Sequence, residues 1–163
     1  MYILEGNIGS GKSTLLNLIQ RYMSYITIAQ EPVQAWASAD LQDSLLGQFC
    51  ADMKRWSYSM ETYTMFVRVA EHLRLQEKLR NENSLLTLVE RSLYSGRYCF
   101  AKNGYLQGNM SELEWKLYTQ SFDFLVHAKC TPPIGFIYLK TDPLTCYERA
   151  KKRNRPGEQA IPL

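Results

Sequence analysis

The chain has 163 residues, of which 45% are hydrophobic and 21% are charged, and its formal net charge is +3. This length and composition suit one globular domain over residues 1–163 and exclude a disordered chain. The mild positive charge gives no reason to expect a nucleic-acid partner, and no apolar run approaches the roughly 20 residues that a membrane span requires.

The first predicted element is a short apolar strand at Tyr2–Leu4. A strand that begins at residue 2 leaves no room for the charged and apolar regions of a signal peptide. The four cysteines include no C-x-x-C pair, which favours reduced thiols over a zinc site or disulfides. We therefore expect a cytoplasmic protein, with a mitochondrial or viral origin left open.

A glycine-rich loop follows this strand in the stretch EGNIGSGKST, residues 5–14. Its G-x-x-x-x-G-K-S pattern is complete, and a helical run from Ser13 to about Met23 comes next. In such a loop the backbone N–H groups cradle nucleotide phosphates, Lys12 reaches the β- and γ-phosphates, and the Ser13 hydroxyl binds magnesium. The pattern predicts a nucleoside triphosphate site at Gly6, Asn7, Ile8, Gly9, Ser10, Gly11, Lys12, Ser13 and Thr14.

Short apolar runs alternate with longer amphipathic ones along the chain. Further strands are predicted at Tyr25–Gln30, Ser84–Glu90 and Ile134–Lys140, each followed by helical sequence. This alternation is typical of a three-layer α/β fold, in which helices flank a parallel sheet. Because the active sites of such sheets lie at the carboxyl ends of the strands, we expect the polar residues after each strand to converge on one cleft.

Two long helices are predicted between these strands. The segment Arg55–Arg80 is rich in aromatic residues and methionine, which favours a core or dimer face. Ser111, followed by Glu112 and Glu114, forms a capping pattern that begins the second helix. The apolar stripe of this helix is expected to consist of Leu113, Leu117, Phe122, Phe124 and Leu125.

Charged residues next to the predicted strands could support phosphoryl transfer, which needs magnesium, cationic groups and a carboxylate near the acceptor hydroxyl. Glu31, after the second strand, is a candidate base for that hydroxyl. Glu90 could hold magnesium through its water shell, and Arg91 could steady the acceptor oxygen or the moving phosphoryl group. The basic run near the C-terminus includes Arg149, Arg153 and Arg155. Taken alone, this run is most simply interpreted as the solvated end of a helix. Its arginines could also close over the triphosphate.

Six stretches in the same order together resemble the deoxynucleoside kinase family: EGNIGSGKST, EPVQAW, RWSYSMETY, ERSLYSGRYCFA, IYLKTDPLTCYERAKKR and EQAIPL. The resemblance covers nearly the whole chain. It implies a P-loop kinase fold with a five-stranded parallel core and an arginine-bearing lid near the C-terminus. It also implies ATP with magnesium as phosphate donor, transfer to the 5′-hydroxyl of a deoxynucleoside, and a homodimer built through long helices.

The resemblance implies roles for individual residues as well. Glu31 matches the general base of the family, Glu90 its magnesium-side carboxylate, and Arg91 the arginine at the 5′-oxygen. Arg68 matches an arginine near the base edge, and Glu158 matches a lid glutamate that binds the sugar 3′-hydroxyl. Arg149, Arg153 and Arg155 match the lid arginines, Phe100 the aromatic that stacks on the base, and Ile8, Val33, Trp36, Leu46, Phe49 and Met60 the pocket lining.

Three positions depart from the family pattern. Glu61 stands where the family has glutamine; an ionised carboxylate only accepts hydrogen bonds, but burial could keep it protonated or Arg68 could pair with it. Gly96 stands where deoxycytidine kinase has aspartate, which favours room for the thymine methyl. Cys50 replaces a tyrosine that helps to bind the 3′-hydroxyl, so weaker discrimination against dideoxy analogues is expected. The sequence also ends at Leu163, before a further helix and strand of the family, and an exposed sheet edge is expected.

The favoured hypothesis is a deoxynucleoside kinase that prefers thymidine and deoxycytidine, and two alternatives stay open. A nucleoside monophosphate kinase shares the loop and lid, but such enzymes usually have aspartate and arginine where this chain has Glu90 and Arg91. A catalytically silent nucleotide-binding protein fits the departures at Glu61 and Cys50. A guanine-nucleotide switch is disfavoured because the N-K-x-D and D-x-x-G patterns are missing from the sequence.

Overall fold

A parallel sheet lies at the centre of the computed structural model, which describes residues 1–37, 44–81 and 86–154. Its strands are β1 (Tyr2–Glu5), β2 (Ile26–Ala29), β3 (Leu86–Glu90) and β4 (Gly135–Tyr138). Within the described residues the sheet has the order β2-β3-β1-β4, and all pairs are parallel. Leu4 pairs with Glu90 on one side and with Ile137 on the other, so these strands end at the same edge.

Helices connect the strands and lie on both faces of the sheet. Leu4 packs with Leu16 on one face, whereas Ile3 and Val89 line a small cavity with His72 on the other face. The predicted three-layer α/β fold is therefore confirmed. The helices are α1 (Lys12–Tyr22), α2 (Leu45–Ala51), α3 (Met53–Asn81), α4 (Leu93–Ser95), α5 (Lys102–Leu106), α6 (Glu112–Lys129) and α7 (Pro143–Arg153), with a 3-10 turn at Val33–Ala35 and a π-helical segment at Gly96–Ala101.

The long helix α3 buries a face that is partly polar. Between Ser57 and Val69 its buried residues follow the period of one side of a helix, and they include Met65 and Val69 in the core. Ser57, Glu61 and Thr64 lie on the same buried side. Polar side chains are uncommon in a core unless they are bonded or serve a site, so this stretch of α3 indicates a cleft wall.

Helix α6 begins directly after the predicted capping residue, but the side that it buries differs from the predicted stripe. The Ser111 hydroxyl accepts from the Glu114 N–H, and the Glu114 carboxylate accepts from the Ser111 N–H, which completes the capping box. The stripe prediction was wrong for three members, because the helix buries its Tyr118 and Phe122 side against α3 and the π-helical segment. The residues that lie exposed instead are Leu113, Leu117 and Phe124.

Strand β4 forms one edge of the described sheet. Its Phe136 and Tyr138 side chains are 54% and 66% exposed. The fifth strand implied by the family resemblance is not among the described residues. No helix in the described ranges combines the length and hydrophobicity that crossing a bilayer demands.

Candidate active site

The glycine-rich loop joins β1 to α1 at the carboxyl edge of the sheet. Gly9 and Gly11 have positive φ values of 79° and 97°, which suit glycine. A Cβ atom on Gly9 would lie 2.1 Å from the carbonyl oxygen of Cys146, so the loop packs directly on the backbone of α7. The Ser10 side chain is buried, whereas most of the loop lines an open cleft.

Lys12 lies under this loop. Its Nζ atom donates to the carbonyl oxygens of Gly6 at 3.0 Å and Asn7 at 2.9 Å. Burial, with a smaller effect from nearby Arg91, lowers the pKa of Lys12 to about 8, while the carboxylates of Glu90, Glu31 and Glu5 oppose the shift. At neutral pH the lysine is mostly charged and placed at the base of the loop.

Ser13 and Glu90, the two predicted magnesium ligands, lie together beside the loop. The Ser13 hydroxyl donates to Glu90 Oε1 at 2.9 Å, which joins the first turn of α1 to the end of β3. Magnesium binds oxygen and usually takes one or two protein ligands together with phosphate and water. The two predicted ligands therefore fit this ion, and within the described residues no group of three or more acidic, histidine or cysteine side chains forms a denser metal site.

Glu31 is held between two arginines. Its Oε1 accepts from Arg68 Nη2 at 2.7 Å, and its Oε2 accepts from Arg91 Nε at 3.1 Å. The side chain of Glu31 is 12% exposed and lines the same cleft as the glycine-rich loop. The two guanidinium groups lie over aromatic rings, Arg91 over Phe100 at 4.9 Å and Arg68 over Trp36 at 5.6 Å.

The turn that carries Arg91 has an unusual backbone. Arg91 has φ of 65°, a left-handed conformation that non-glycine residues rarely adopt, and its N–H donates to the Leu4 carbonyl at 3.0 Å. The next residue, Ser92, donates through its hydroxyl to the Glu5 carboxylate and accepts from the Ser95 N–H. Glu5 and Ser92 are polar residues at strand ends and line the cleft as expected, but their hydrogen bond to each other was not predicted.

Glu61 lies in the wall of the cleft, and no cation among the described residues is bonded to its carboxyl group. It is 9% exposed, and desolvation by burial raises the pKa of its carboxyl group to about 7, against the opposing effect of Arg68. The alternative in which Arg68 pairs with Glu61 is wrong, because the Arg68 guanidinium turns to Glu31. A Cβ atom on Gly96 would lie 2.9 Å from Arg68 Nη1, so the room that Gly96 leaves is filled by this guanidinium.

The remaining predicted residues divide between the cleft and other places. Arg149 and Arg153 of α7 line the cleft near the glycine-rich loop, and Thr141, one of the polar residues expected after the fourth strand, joins them there. Arg155 and Glu158 lie outside the described residues. Cys50 packs beside the apolar cluster of Trp36, Leu46 and Met60. The cleft, of about 1370 Å³, is also lined by Asn7, Ile8, Thr14, Val33, Trp36, Leu46, Phe49, Met60 and Phe100.

These features define an α/β protein with a glycine-rich P-loop sequence and a large cleft beside it. A family model described as deoxynucleoside kinase matches residues 2–163. The chain therefore belongs to the deoxynucleoside kinase family, as the sequence motifs predicted.

Curated relatives agree with this assignment. Deoxycytidine kinase 2 of Gallus gallus is 32% identical over 177 residues, and mitochondrial thymidine kinase 2 of Homo sapiens is 34% identical over 160 residues. Mitochondrial deoxyguanosine kinase of Xenopus laevis is 33% identical over 175 residues. Each match covers 98% of this chain but only 67%, 57% and 66% of the relative, so the chain spans about three fifths of their length.

Proposed function

We propose that this protein phosphorylates the 5′-hydroxyl of a deoxynucleoside, with ATP as donor and magnesium as cofactor, in nucleotide salvage. One observation carries the proposal: the Glu31 carboxylate and the P-loop open onto the same cleft, and Arg91 binds Glu31 there while its charge acts on Lys12. Membership of the deoxynucleoside kinase family supports it. Residues 1–163 are proposed to act as one domain, and the cytoplasmic location stays a prediction.

Each charged group has a role in this proposal. Glu31 accepts the proton of the acceptor hydroxyl, and Arg91, which already binds Glu31, stabilises the oxygen from which the proton leaves. Lys12 and the arginines of α7 bind the phosphates and offset the charge that spreads over the transferred group. Ser13 and Glu90 would hold magnesium, which supplies further positive charge to the phosphates when it is bound.

The base preference is proposed to favour the pyrimidines thymidine and deoxycytidine over guanine nucleosides. The cleft contains the aromatic residues Trp36 and Phe100 for contact with a base, and Glu61 as a polar group in its wall. The names of the relatives include pyrimidine and guanine nucleosides alike, so the preference depends on this chain's own residues.

A homodimer through α3 and α6 is also proposed. Both helices keep large apolar side chains exposed, among them Phe66 at 50% on α3 and Phe124 at 63% on α6. Apolar side chains in such numbers on neighbouring helices are characteristic of an interface. Tyr63 and Leu73 of α3 and Leu113 and Leu117 of α6 are exposed as well.

A phosphorylation panel tests the proposed activity. Purified protein is incubated with MgATP and each of the four deoxynucleosides, and with dTMP, and the products are identified by mass spectrometry. The proposal predicts 5′-monophosphates of thymidine and deoxycytidine ahead of deoxyguanosine. Product from dTMP but not from thymidine would point to a monophosphate kinase, and ATP binding without any product would point to a silent binding protein.

A further inference from the structure

Glu61 is a buried acidic residue in the wall of the cleft. It lines the cleft together with Trp36, Leu46 and Phe100, and it is 9% exposed. No hydrogen bond or ion pair connects its carboxyl group to another residue among those described. A buried acid without a bonded partner is costly in its charged form and less costly when protonated.

The charged and titratable groups around Glu61 do not supply a partner. On α3 itself, Arg68 donates to Glu31, and the negative charge of Glu31 also disfavours ionisation of Glu61. From α6, Tyr118 faces Glu61, and burial raises the pKa of its phenol, which keeps it neutral. Arg97, in the π-helical segment, donates to the Thr119 carbonyl and Asp123 instead. The packed helix α2 contains no charged residue.

We propose that Glu61 reads the base as a neutral carboxylic acid, and that its ionisation moves recognition from pyrimidines towards guanine. This inference rests on the proposed function and deepens it. A neutral carboxyl group has one O–H donor and one carbonyl acceptor, and it therefore offers the same pair of bonds as a side-chain amide. A carboxylate has acceptors alone.

The bases differ in the hydrogen-bond donors and acceptors along their edges, so the two forms of the carboxyl group bind different bases. A neutral carboxyl group can donate to N3 of cytosine and accept from its N4 amino group, or accept from N3–H of thymine and donate to its O4 atom. A carboxylate repels cytosine N3 and thymine O4, but its two oxygens match the paired N1–H and N2 amino donors of guanine. Ionisation of this one side chain therefore disfavours the pyrimidines and retains guanine as a partner.

The first test compares substrates across pH. The ratio of kcat/KM for thymidine to that for deoxyguanosine is measured between pH 6 and pH 8.5 for the wild type, Glu61→Gln and Glu71→Gln. Glu71 is an acid on the same helix that pairs with Arg74, so it serves as a matched control. Because both substrates use the same P-loop and the same catalytic groups, pH effects on those groups cancel in the ratio.

We expect the ratio to fall by about tenfold or more over this range in the wild type and in Glu71→Gln, because one ionisation changes the base-reading group. Glu61→Gln should give a ratio that does not change with pH. A flat ratio in the wild type, or the same slope in Glu61→Gln, would overturn the inference.

The second test counts protons and needs no turnover. Calorimetry of thymidine binding at pH 8, in buffers with different ionisation enthalpies, should show uptake of close to one proton in the wild type and none in Glu61→Gln. Equal proton uptake in both proteins, or no thymidine binding by the wild type, would overturn the inference. If no nucleoside is phosphorylated, the proposed function fails, while this measurement still decides the state in which Glu61 binds a base.

Discussion

Arg68 binds Glu31, with 2.7 Å between Nη2 and Oε1, although Glu61 lies on the same helix as Arg68. This ion pair ties α3 to the segment after β2 and places Glu31 opposite the P-loop. Among the described residues it also leaves Glu61 without a bonded cation, and burial raises the pKa of the Glu61 carboxyl group to about 7.

Loss of the Arg68 side chain should destabilise the fold. Arg68 and Glu31 are each 12% exposed, and Arg68→Ala would leave Glu31 with Arg91 as its partner. We expect a decrease of about 1 to 3 kcal/mol in the free energy of unfolding, measured by urea denaturation at pH 7. Arg74→Ala breaks an exposed pair with Glu71 and should cost less than about 0.5 kcal/mol. Equal losses for the two variants would contradict the importance of the buried pair.

A methyl group at Gly9 should disrupt the P-loop. Gly9→Ala would place a Cβ atom 2.1 Å from the Cys146 carbonyl oxygen, so the loop must move away from α7. Gly108 has a similar φ of 77° but no atom within 4 Å of the corresponding Cβ position. Gly108→Ala should therefore cost only about 1 kcal/mol of backbone strain and keep ATP affinity, whereas Gly9→Ala should lose at least about tenfold in affinity.

Titration calorimetry with MgATP compares these two glycine variants, and thermal unfolding measures their stability. The Gly108→Ala protein controls for the positive φ that both positions share. Wild-type ATP affinity in Gly9→Ala would show that the close contact with α7 does not shape the loop.

The affinity for ATP should decrease as the pH rises, over a range set by the pKa of Lys12. Burial lowers the pKa of this lysine to about 8, and phosphate groups favour its charged form. Below that pH the ammonium group is already charged, whereas above it binding must take up a proton. Calorimetry should show affinity that is level below about pH 8 and weakens by up to about tenfold per pH unit above it. Lys12→Met should bind more weakly and without this slope, and a decline that begins only near pH 10.5 would contradict the prediction.

An acidic residue on the exposed side of α6 should separate the proposed dimer. Phe124 is 63% exposed in this chain, so Phe124→Glu should leave the fold intact while it opposes burial of the helix face. Sedimentation velocity should change from a dimer to a monomer. Lys129→Glu, at the end of the same helix, controls for the added charge. A wild-type protein that sediments as a monomer would contradict the dimer.

Local chemistry was predictable from the sequence, and long-range pairing was not. The glycine-rich stretch leads from a strand into α1 and the capping box forms at Ser111, and both features depend on neighbouring residues. Strand ends indicated that Glu31 and Glu90 would face one cleft, because parallel strands end at the same edge. The partner of Arg68 depends on where α3 meets β2, and the exposure of Phe124 depends on which side of α6 meets α3. Neither feature can be predicted from the spacing of residues along one helix.

The measurement that tests the account most directly is thymidine phosphorylation by Glu31→Gln. This variant keeps the size of the side chain and a hydrogen-bond acceptor for Arg91, but it removes the carboxylate that would take the proton. We predict that kcat falls by about 10²- to 10⁴-fold while MgATP affinity stays within about twofold of the wild type. Turnover near the wild-type rate would show that Glu31 is not the base and would contradict the account.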